Sequence, residues 1–482
     1  MTLTFLGAAR TVTGSKYLLD TGTKKILIDA GLFQGLKELR ERNWQDLPVA
    51  PTAIDAIVLT HAHLDHVGYL PRLVAGGFRG RVFCTAGTQD LARIVLPDSG
   101  RIQEEDAEHA NRAGYSKHSP ALPLYGEADA MRALTLLQPV GYDRPVPVVD
   151  GVEVEFINAG HLLGSAYARI KVEGLTLLFG GDLGRFDRPV LPDPTMVAEA
   201  DYLLVESTYG DRVHDAHDDA ALLERVIKET IGRGGRVIIP AFAVGRVEEL
   251  LYWLKRLEDE GRIPVTPVFV DSPMAIEALA RYTERLRELD AELQPEQRDD
   301  KAPHGPAAHE EAGRRRQHAR KERQLCAFCT ARFRTIGSAA ESKELTSSKM
   351  PAIIISASGM ATGGRVLHHL RAGLPDSRNT VLFAGYQAVG TRGRSLVDGA
   401  RSVKIHGQII PVHAQVIQIE SRSAHADSNE ILRWLSGFQR PPRTTFIVHG
   451  ELNAMQALAA SIHGQLGWTT KIPEHRETVE LT

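Results

Sequence analysis

Apolar residues along this chain come in short unbroken runs, and many of the runs stop at a glycine, an aspartate or a histidine. Ala56-Ile57-Val58-Leu59 runs into His61, Lys25-Ile26-Leu27-Ile28 into Asp29, and Leu175-Thr176-Leu177-Leu178-Phe179 into Gly180-Gly181-Asp182. Val152-Glu153-Val154-Glu155-Phe156-Ile157 alternates and leads into Asn158-Ala159-Gly160-His161, and Ile447-Val448 leads into His449-Gly450. Runs of this length bounded by turn residues predict strands. Met1 to Gly7 reads as a first strand rather than as a signal peptide, because no long apolar segment follows a basic one. In the second half, apolar runs at 236–240, 267–271, 352–356 and 380–384 are separated by helical patterns such as 247–257 and 275–289. Strands alternating with helices predict an α/β protein with a mainly parallel, helix-covered sheet, whose ligands bind beyond the strand C-termini.

The strand ends carry metal-competent side chains. His61-Ala62-His63-Leu64-Asp65-His66 packs three imidazoles and a carboxylate into one turn. With 19 histidines in 482 residues, such a cluster at a strand end is improbable by chance. The spacing favours two ions over one: His61 and His63 can share the first, while Asp65 and His66, opening the next helix, reach a neighbour. Asp29, His161, Asp182 and His449 each sit at a strand end beside glycine. Singly, each would more often be a capping aspartate or a satisfied histidine; together they form a consistent set. His449 lies far from the others in sequence, so the chain must leave the first domain and return to it. The intervening segment then reads as an inserted domain.

This order of motifs resembles the metallo-β-lactamase fold, whose signature is His-x-His-x-Asp-His. Val205-Glu206-Ser207-Thr208-Tyr209-Gly210, Ser423-Ala424-His425-Ala426-Asp427 and Val448-His449-Gly450-Glu451 resemble the extra motifs of its β-CASP branch of RNA and DNA nucleases. That branch includes ribonuclease J and the endonuclease subunit of the pre-mRNA cleavage machinery. The resemblance runs from Phe5 to about Gln456, and is weakest over 293–345. It implies an αββα sandwich over 1–208 and 401–482 with a β-CASP domain inserted at 209–400. It also implies that His61, His63 and His161 hold one zinc, that Asp65, His66 and His449 hold the second, and that Asp182 bridges them. Manganese or iron would suit the carboxylates but is less favoured. Asp29 becomes an orienting residue behind the ligands. Asp65 would also orient a bridging hydroxide, His425 would be the general acid, and Glu206 would hold its imidazole cationic. The implied reaction is hydrolysis of single-stranded RNA to a 3′-hydroxyl and a 5′-phosphate. The implied partner is that RNA, with a homodimer as a compatible assembly and no membrane.

Small residues followed by a cation, Ser356, Ser358, Gly359, Gly363, Gly364 and Arg365, read as a phosphate cradle, as do Gly390-Thr391-Arg392-Gly393-Arg394. Such loops also occur as plain strand-to-helix turns. His368 and His369 follow at helical spacing, where packing explains them as well as RNA contact does.

Composition changes this picture little. A net charge of −3 leaves RNA binding to a local basic patch. Three cysteines argue against a disulfide scaffold and fit a cytoplasmic protein. Cys326 and Cys329 form half of a zinc-finger pattern with no second pair. The basic run 314–323 reads as a solvated face, since no aromatics are interleaved for stacking. About 30 residues follow His449, too few for the appended domain of ribonuclease J, which favours the compact bacterial and archaeal type. A small-molecule thioester or lactone hydrolase would leave the inserted domain unexplained. A non-catalytic RNA-binding scaffold would be expected to have eroded ligands.

Overall fold

The computed structural model describes all residues except 115–117, 215–218, 291–292, 294–326, 386, 388–389 and 420–422. The basic run 314–323 and Cys326 therefore lie outside the described residues. The chain divides into two compact units, the first formed by Met1–Val213 with His425–Thr482 and the second by His214–Ala424.

The first unit stacks two seven-stranded sheets. One has the order Thr478–Glu480, Thr2–Phe5, Tyr17–Asp20, Lys25–Ile28, Ala56–Val58, Arg81–Thr85, Leu137–Val140. The other has the order Thr470–Lys471, Thr444–Ile447, Tyr202–Val205, Leu175–Phe179, Ala166–Val172, Val152–Asn158, Val146–Val149. Alternate side chains face inward, as the two-residue period of a strand requires. Phe5, Ile26, Ile28 and Val58 from one sheet meet Phe156, Ile170, Phe179 and Phe446 from the other in a single core. The opposite face of the second sheet, through Leu178, Leu203, Val205 and Ile447, is covered by helices Ser428–Leu435 and Leu452–Leu466, which contribute Trp434, Met455 and Leu458. Helix Ala86–Ala113 packs on strands Arg81–Thr85 and Leu137–Val140 of the first sheet, and helix Glu127–Leu134 joins it to Leu70–Ala75. The result is the four-layer α/β/β/α sandwich the resemblance implies.

Pairing is parallel where the site-bearing strands lie. Lys25–Ile28, Ala56–Val58 and Arg81–Thr85 run parallel, as do Leu175–Phe179, Tyr202–Val205 and Thr444–Ile447. Parallel neighbours place their C-terminal ends at one edge, so residues 29, 61, 182, 206 and 449 emerge together.

The second unit is a six-stranded, wholly parallel sheet in the order Phe333–Thr335, Val268–Val270, Ile353–Ser356, Val237–Pro240, Thr380–Ala384, Gln415–Ile419. Its central strands are buried on both faces, which is why they read as continuous apolar runs. The strand Gln415–Ile419 and the hairpin Ser402–Ile405 with Gln408–Pro411 also belong to this unit, so it extends beyond residue 400. Both are half-exposed edge elements, and their mixed pattern hides them from a reading of apolar runs.

Candidate metal centre

Each side chain of the histidine-rich cluster is placed by a short loop tied to a strand end. Strand Ala56–Val58 gives way to Thr60-His61-Ala62-His63 and then to the one-turn helix Leu64–Val67, which carries Asp65 and His66. That helix is fastened to the neighbouring loop by backbone bonds: Ser15 N–H donates to Asp65, Ala30 N–H to His66 and Leu32 N–H to Leu64, at 2.7–2.9 Å. Gly31 makes the fit possible, because a Cβ there would lie 1.6 Å from the Asp65 carbonyl oxygen. Asp182 follows Gly181, whose φ of +54° turns the chain under Thr60. Asp29 and His449 also have positive φ, 58° and 49°, a conformation uncommon for residues with a Cβ and concentrated at functional sites.

These loops bring seven ligand-type side chains together. Candidate ligand atoms of His61, His63, His161 and Asp182 all lie within 4.8 Å of one another, and so do those of Asp65, His66 and His449. His63 Nδ1 is 3.2 Å from both His61 Nε2 and His161 Nε2. Asp182 stands between the two groups. Its Oδ2 is 3.3 Å from His61 Nε2 and 3.5 Å from His161 Nε2, and its Oδ1 is 3.2 Å from His66 Nε2. His449 Nε2 approaches Asp65 Oδ2 at 3.2 Å.

The chemistry of this set fits cations. Both carboxylate oxygens of Asp182 are buried with no hydrogen-bond partner among the described residues. A buried carboxylate left so is destabilising unless a positive charge compensates it. Burial, then the charge of His61, pushes the pKa of His63 down to about 3. Burial and the neighbouring His425 push His161 well below the usual imidazole value. Burial would raise Asp182 and Asp65, but the imidazoles around them outweigh it and hold both below the usual carboxylate range. A neutral imidazole at His63 and His161 and an ionised carboxylate at Asp65 and Asp182 are the protonation states metal binding needs of those four residues.

Support comes from behind the ligands. His66 Nδ1 donates to Asp29 Oδ2 at 2.7 Å, and Asp29 also accepts from the Thr60 amide and hydroxyl, each at 2.8 Å. Burial works against a charged His66, but Asp182 and Asp29 together raise its pKa.

Beside the ligands lies a second arrangement. His425 Nδ1 is 3.1 and 3.0 Å from the two oxygens of Glu206, and Glu206 also accepts from the Leu183 amide at 2.7 Å. Burial alone would lower the His425 pKa; Glu206 first and Asp182 next reverse this and raise it to about 9. The His425 side chain is 21 % exposed, against 1–3 % for His61, His66 and His449, so it sits nearer the mouth of the site.

Residues 247–396 match the Beta-Casp domain family, residues 10–77 the Metallo-beta-lactamase superfamily, and residues 409–473 the family described as Zn-dependent metallo-hydrolase RNA specificity domain. The chain is 37% identical over 454 residues to Ribonuclease TTHA0252 of Thermus thermophilus, covering 94% of each. It is 30% identical to Transcription termination factor FttA of Methanocaldococcus jannaschii, over 99% of this chain and 71% of that one. It is also 30% identical to the RNase J-like protein of the same organism, over 98% and 97%. The chain belongs to the β-CASP family of metallo-β-lactamase-fold hydrolases.

Within this β-CASP protein, the structure brings together His61, His63, Asp65, His66, His161, Asp182 and His449, with Asp29 behind them and Glu206 and His425 beside them. Ser356, Ser358, Gly359, Gly364 and Arg365 lie in the second unit. There the Arg365 guanidinium donates to Asp271 at 2.8 Å and to the carbonyls of Ile336 and Gly337 at 3.0 Å, so it serves as an internal tie. His369 is buried and pairs with the same Asp271 at 2.7 Å, which is the packing role. His368 stands against His406, ring centroids 4.6 Å apart. In the second loop, Arg392 donates to the carbonyls of Lys404 and Ala361.

Four residues in the first unit escaped the sequence reading. The Ser15 hydroxyl is 3.2 Å from His66 Nε2, the Thr60 hydroxyl is 3.2 Å from His61 Nδ1, and the Thr208 hydroxyl is 3.2 Å from His449 Nδ1. Lys16 is buried, its Nζ donating to the carbonyls of Gly14 and Gly31 between the rings of Phe33 and Tyr69. Burial lowers its pKa to about 7. Only the adjacency of Thr60 to His61 and the place of Thr208 in the Glu206 motif offered a signal.

Proposed function

We propose that this protein hydrolyses phosphodiester bonds of single-stranded RNA, with two zinc ions held by His61, His63 and His161 on one side and by Asp65, His66 and His449 on the other. Asp182 faces both groups, and its buried carboxylate, which makes no hydrogen bond among the described residues, is the observation that carries the reading. Bound there, two divalent cations supply the Lewis acidity that makes water a nucleophile at neutral pH and offsets charge on the phosphoryl oxygens.

The chain's own residues supply the remainder. Asp65, whose side chain is 19 % exposed, orients the attacking water. A water oxygen adds to phosphorus and gives up a proton to solvent, the bond from phosphorus to the 3′ oxygen breaks, and the departing oxygen takes a proton. His425 is the donor. Its Nδ1–H is engaged by Glu206, so the proton passed to the leaving oxygen is the one on Nε2, and the products are a 3′-hydroxyl and a 5′-phosphate. Glu206 is a positioning residue that fixes the ring and favours its cationic form. The RNA specificity domain match and the ribonuclease names of two relatives support RNA as the substrate class.

The test is cleavage of single-stranded RNA labelled at either end, with and without chelator, by wild type and His425→Ala. Wild type should cut only without chelator. The variant should lose at least a hundred-fold in rate, within the range for a general acid, while metal analysis returns the wild-type content. Chelator-resistant cutting would overturn the metal reading, and loss of metal in the variant would overturn the role of His425.

A further inference from the structure

Phe242 is out of keeping with its surroundings. It follows strand Val237–Pro240, at the C-terminal edge of the parallel sheet in the second unit. Its loop neighbours Ala241 and Val244 are buried, yet Phe242 is 45% exposed. Among the described residues it is the only aromatic in the exposed large apolar set of this unit, beside Val265, Met350 and Ile409.

The ring is also backed by a rigid surface. A Cβ built on Gly359 would lie 3.0 Å from Cδ2 and 3.1 Å from Cε2 of Phe242, so the ring rests on the bare backbone of Gly359. That glycine is held in turn: the Gln387 amide donates to its carbonyl at 3.2 Å, and Gly393 N–H donates to the carbonyl of Met360 at 3.0 Å. Strand ends are tied beneath the loop, with Ala241 N–H donating to the Ser356 carbonyl at 3.1 Å. On the same turn the exposed hydroxyls of Ser358 and Thr362 are 3.0 Å apart. A fixed aromatic face beside paired hydroxyls, at the edge where parallel sheets bind ligands, has the make-up of a nucleobase platform.

We propose that Phe242 stacks a base of the single-stranded RNA, so that the inserted domain contributes a base contact. The inference rests on the reading of the protein as an RNA hydrolase. Stacking tolerates any base, because every base has a π-face, and it needs no net positive charge on the molecule. A pre-held ring loses little freedom on binding, which favours this position over a mobile side chain.

The experiment measures binding of a fluorescent oligo(A) and of an abasic strand of the same length, in chelator to prevent cleavage, by wild type, Phe242→Leu and Phe242→Trp. Phe242→Leu keeps an apolar side chain without a π-face and should weaken oligo(A) by roughly 5- to 100-fold, the effect of losing one stacked base. Phe242→Trp should bind oligo(A) as wild type does. The abasic strand should bind all three proteins alike, and a melting temperature for each confirms the fold. Equal oligo(A) affinity for Phe242→Leu and wild type overturns the proposal. Equal weakening of both strands also overturns it, showing an apolar contact with something other than a base. If wild type cuts labelled RNA while Phe242→Leu binds normally, stacking fails and the hydrolase reading stands. If wild type neither cuts nor binds RNA, the hydrolase reading fails and takes stacking with it.

Discussion

Thr60 illustrates how much of the candidate centre depends on residues outside the proposed ligand set. Its hydroxyl touches Asp29 at 2.8 Å and His61 Nδ1 at 3.2 Å, and Asp29 in turn orients His66. One side chain thereby supports a ligand in each group. Thr60→Val keeps the shape and removes the hydroxyl. It should weaken metal binding by about 10- to 100-fold, the usual effect of losing such outer support, measured by competition against a chelator of known affinity. Unchanged affinity with an unchanged melting temperature would show Thr60 to be a packing residue. The candidate ligands stood out in the sequence because imidazoles and carboxylates have few other uses in so tight a spacing. Thr60, Ser15 and Thr208 did not, because a hydroxyl is common everywhere and its role depends on what folds against it.

Helix Arg246–Asp259 of the inserted domain raises an element-scale question. The apolar period placed it at 247–257, and its true bounds differ by a turn at most. The period did not reveal that Glu248, in its first turn, is fully buried with neither carboxylate oxygen hydrogen bonded among the described residues. Burial raises its pKa from 4.5 to about 8, and nearby amides of Glu248 and Gly245 offset this only in part. The folded protein therefore keeps a proton on Glu248 between about pH 4.5 and 8, where the unfolded chain has released it. The folded state binds more protons in that window, so stability falls as pH rises through it. Glu248→Gln removes the titration and should melt higher than wild type, by a margin that widens from pH 5 to pH 8.5. A margin that stays constant with pH would mean the carboxylate is not protonated in the native protein.

At the scale of the whole molecule, the centre is a convergence of loops from both sheets of the first unit. Without the proposed cations, Asp182 is a buried carboxylate with no hydrogen bond among the described residues, and the loops that present it would lose a common anchor. Chelation should speed amide exchange over 60–66, 158–165, 180–184 and 447–450, as local opening becomes easier. The second unit's strands Val237–Pro240, Ile353–Ser356 and Thr380–Ala384 should exchange as before. A uniform change, or none, would separate metal binding from the stability of these loops. No helix among the described residues is long and apolar enough to cross a membrane.

The sequence by itself determined the buried strands, their alternation with helices, and which residue types stand at strand ends, because burial periodicity and ligand chemistry are local properties. It also carried the inference that His449 must return to the first domain. Only the tertiary structure decided that both Asp182 oxygens are buried without a hydrogen bond among the described residues and that Arg365 is tied to Asp271. The exposure of Phe242 on Gly359 and the burial of Glu248 were decided there as well. Each of these depends on which distant backbone arrives alongside, and a side chain's partners are set by packing across hundreds of residues rather than by its neighbours in the chain.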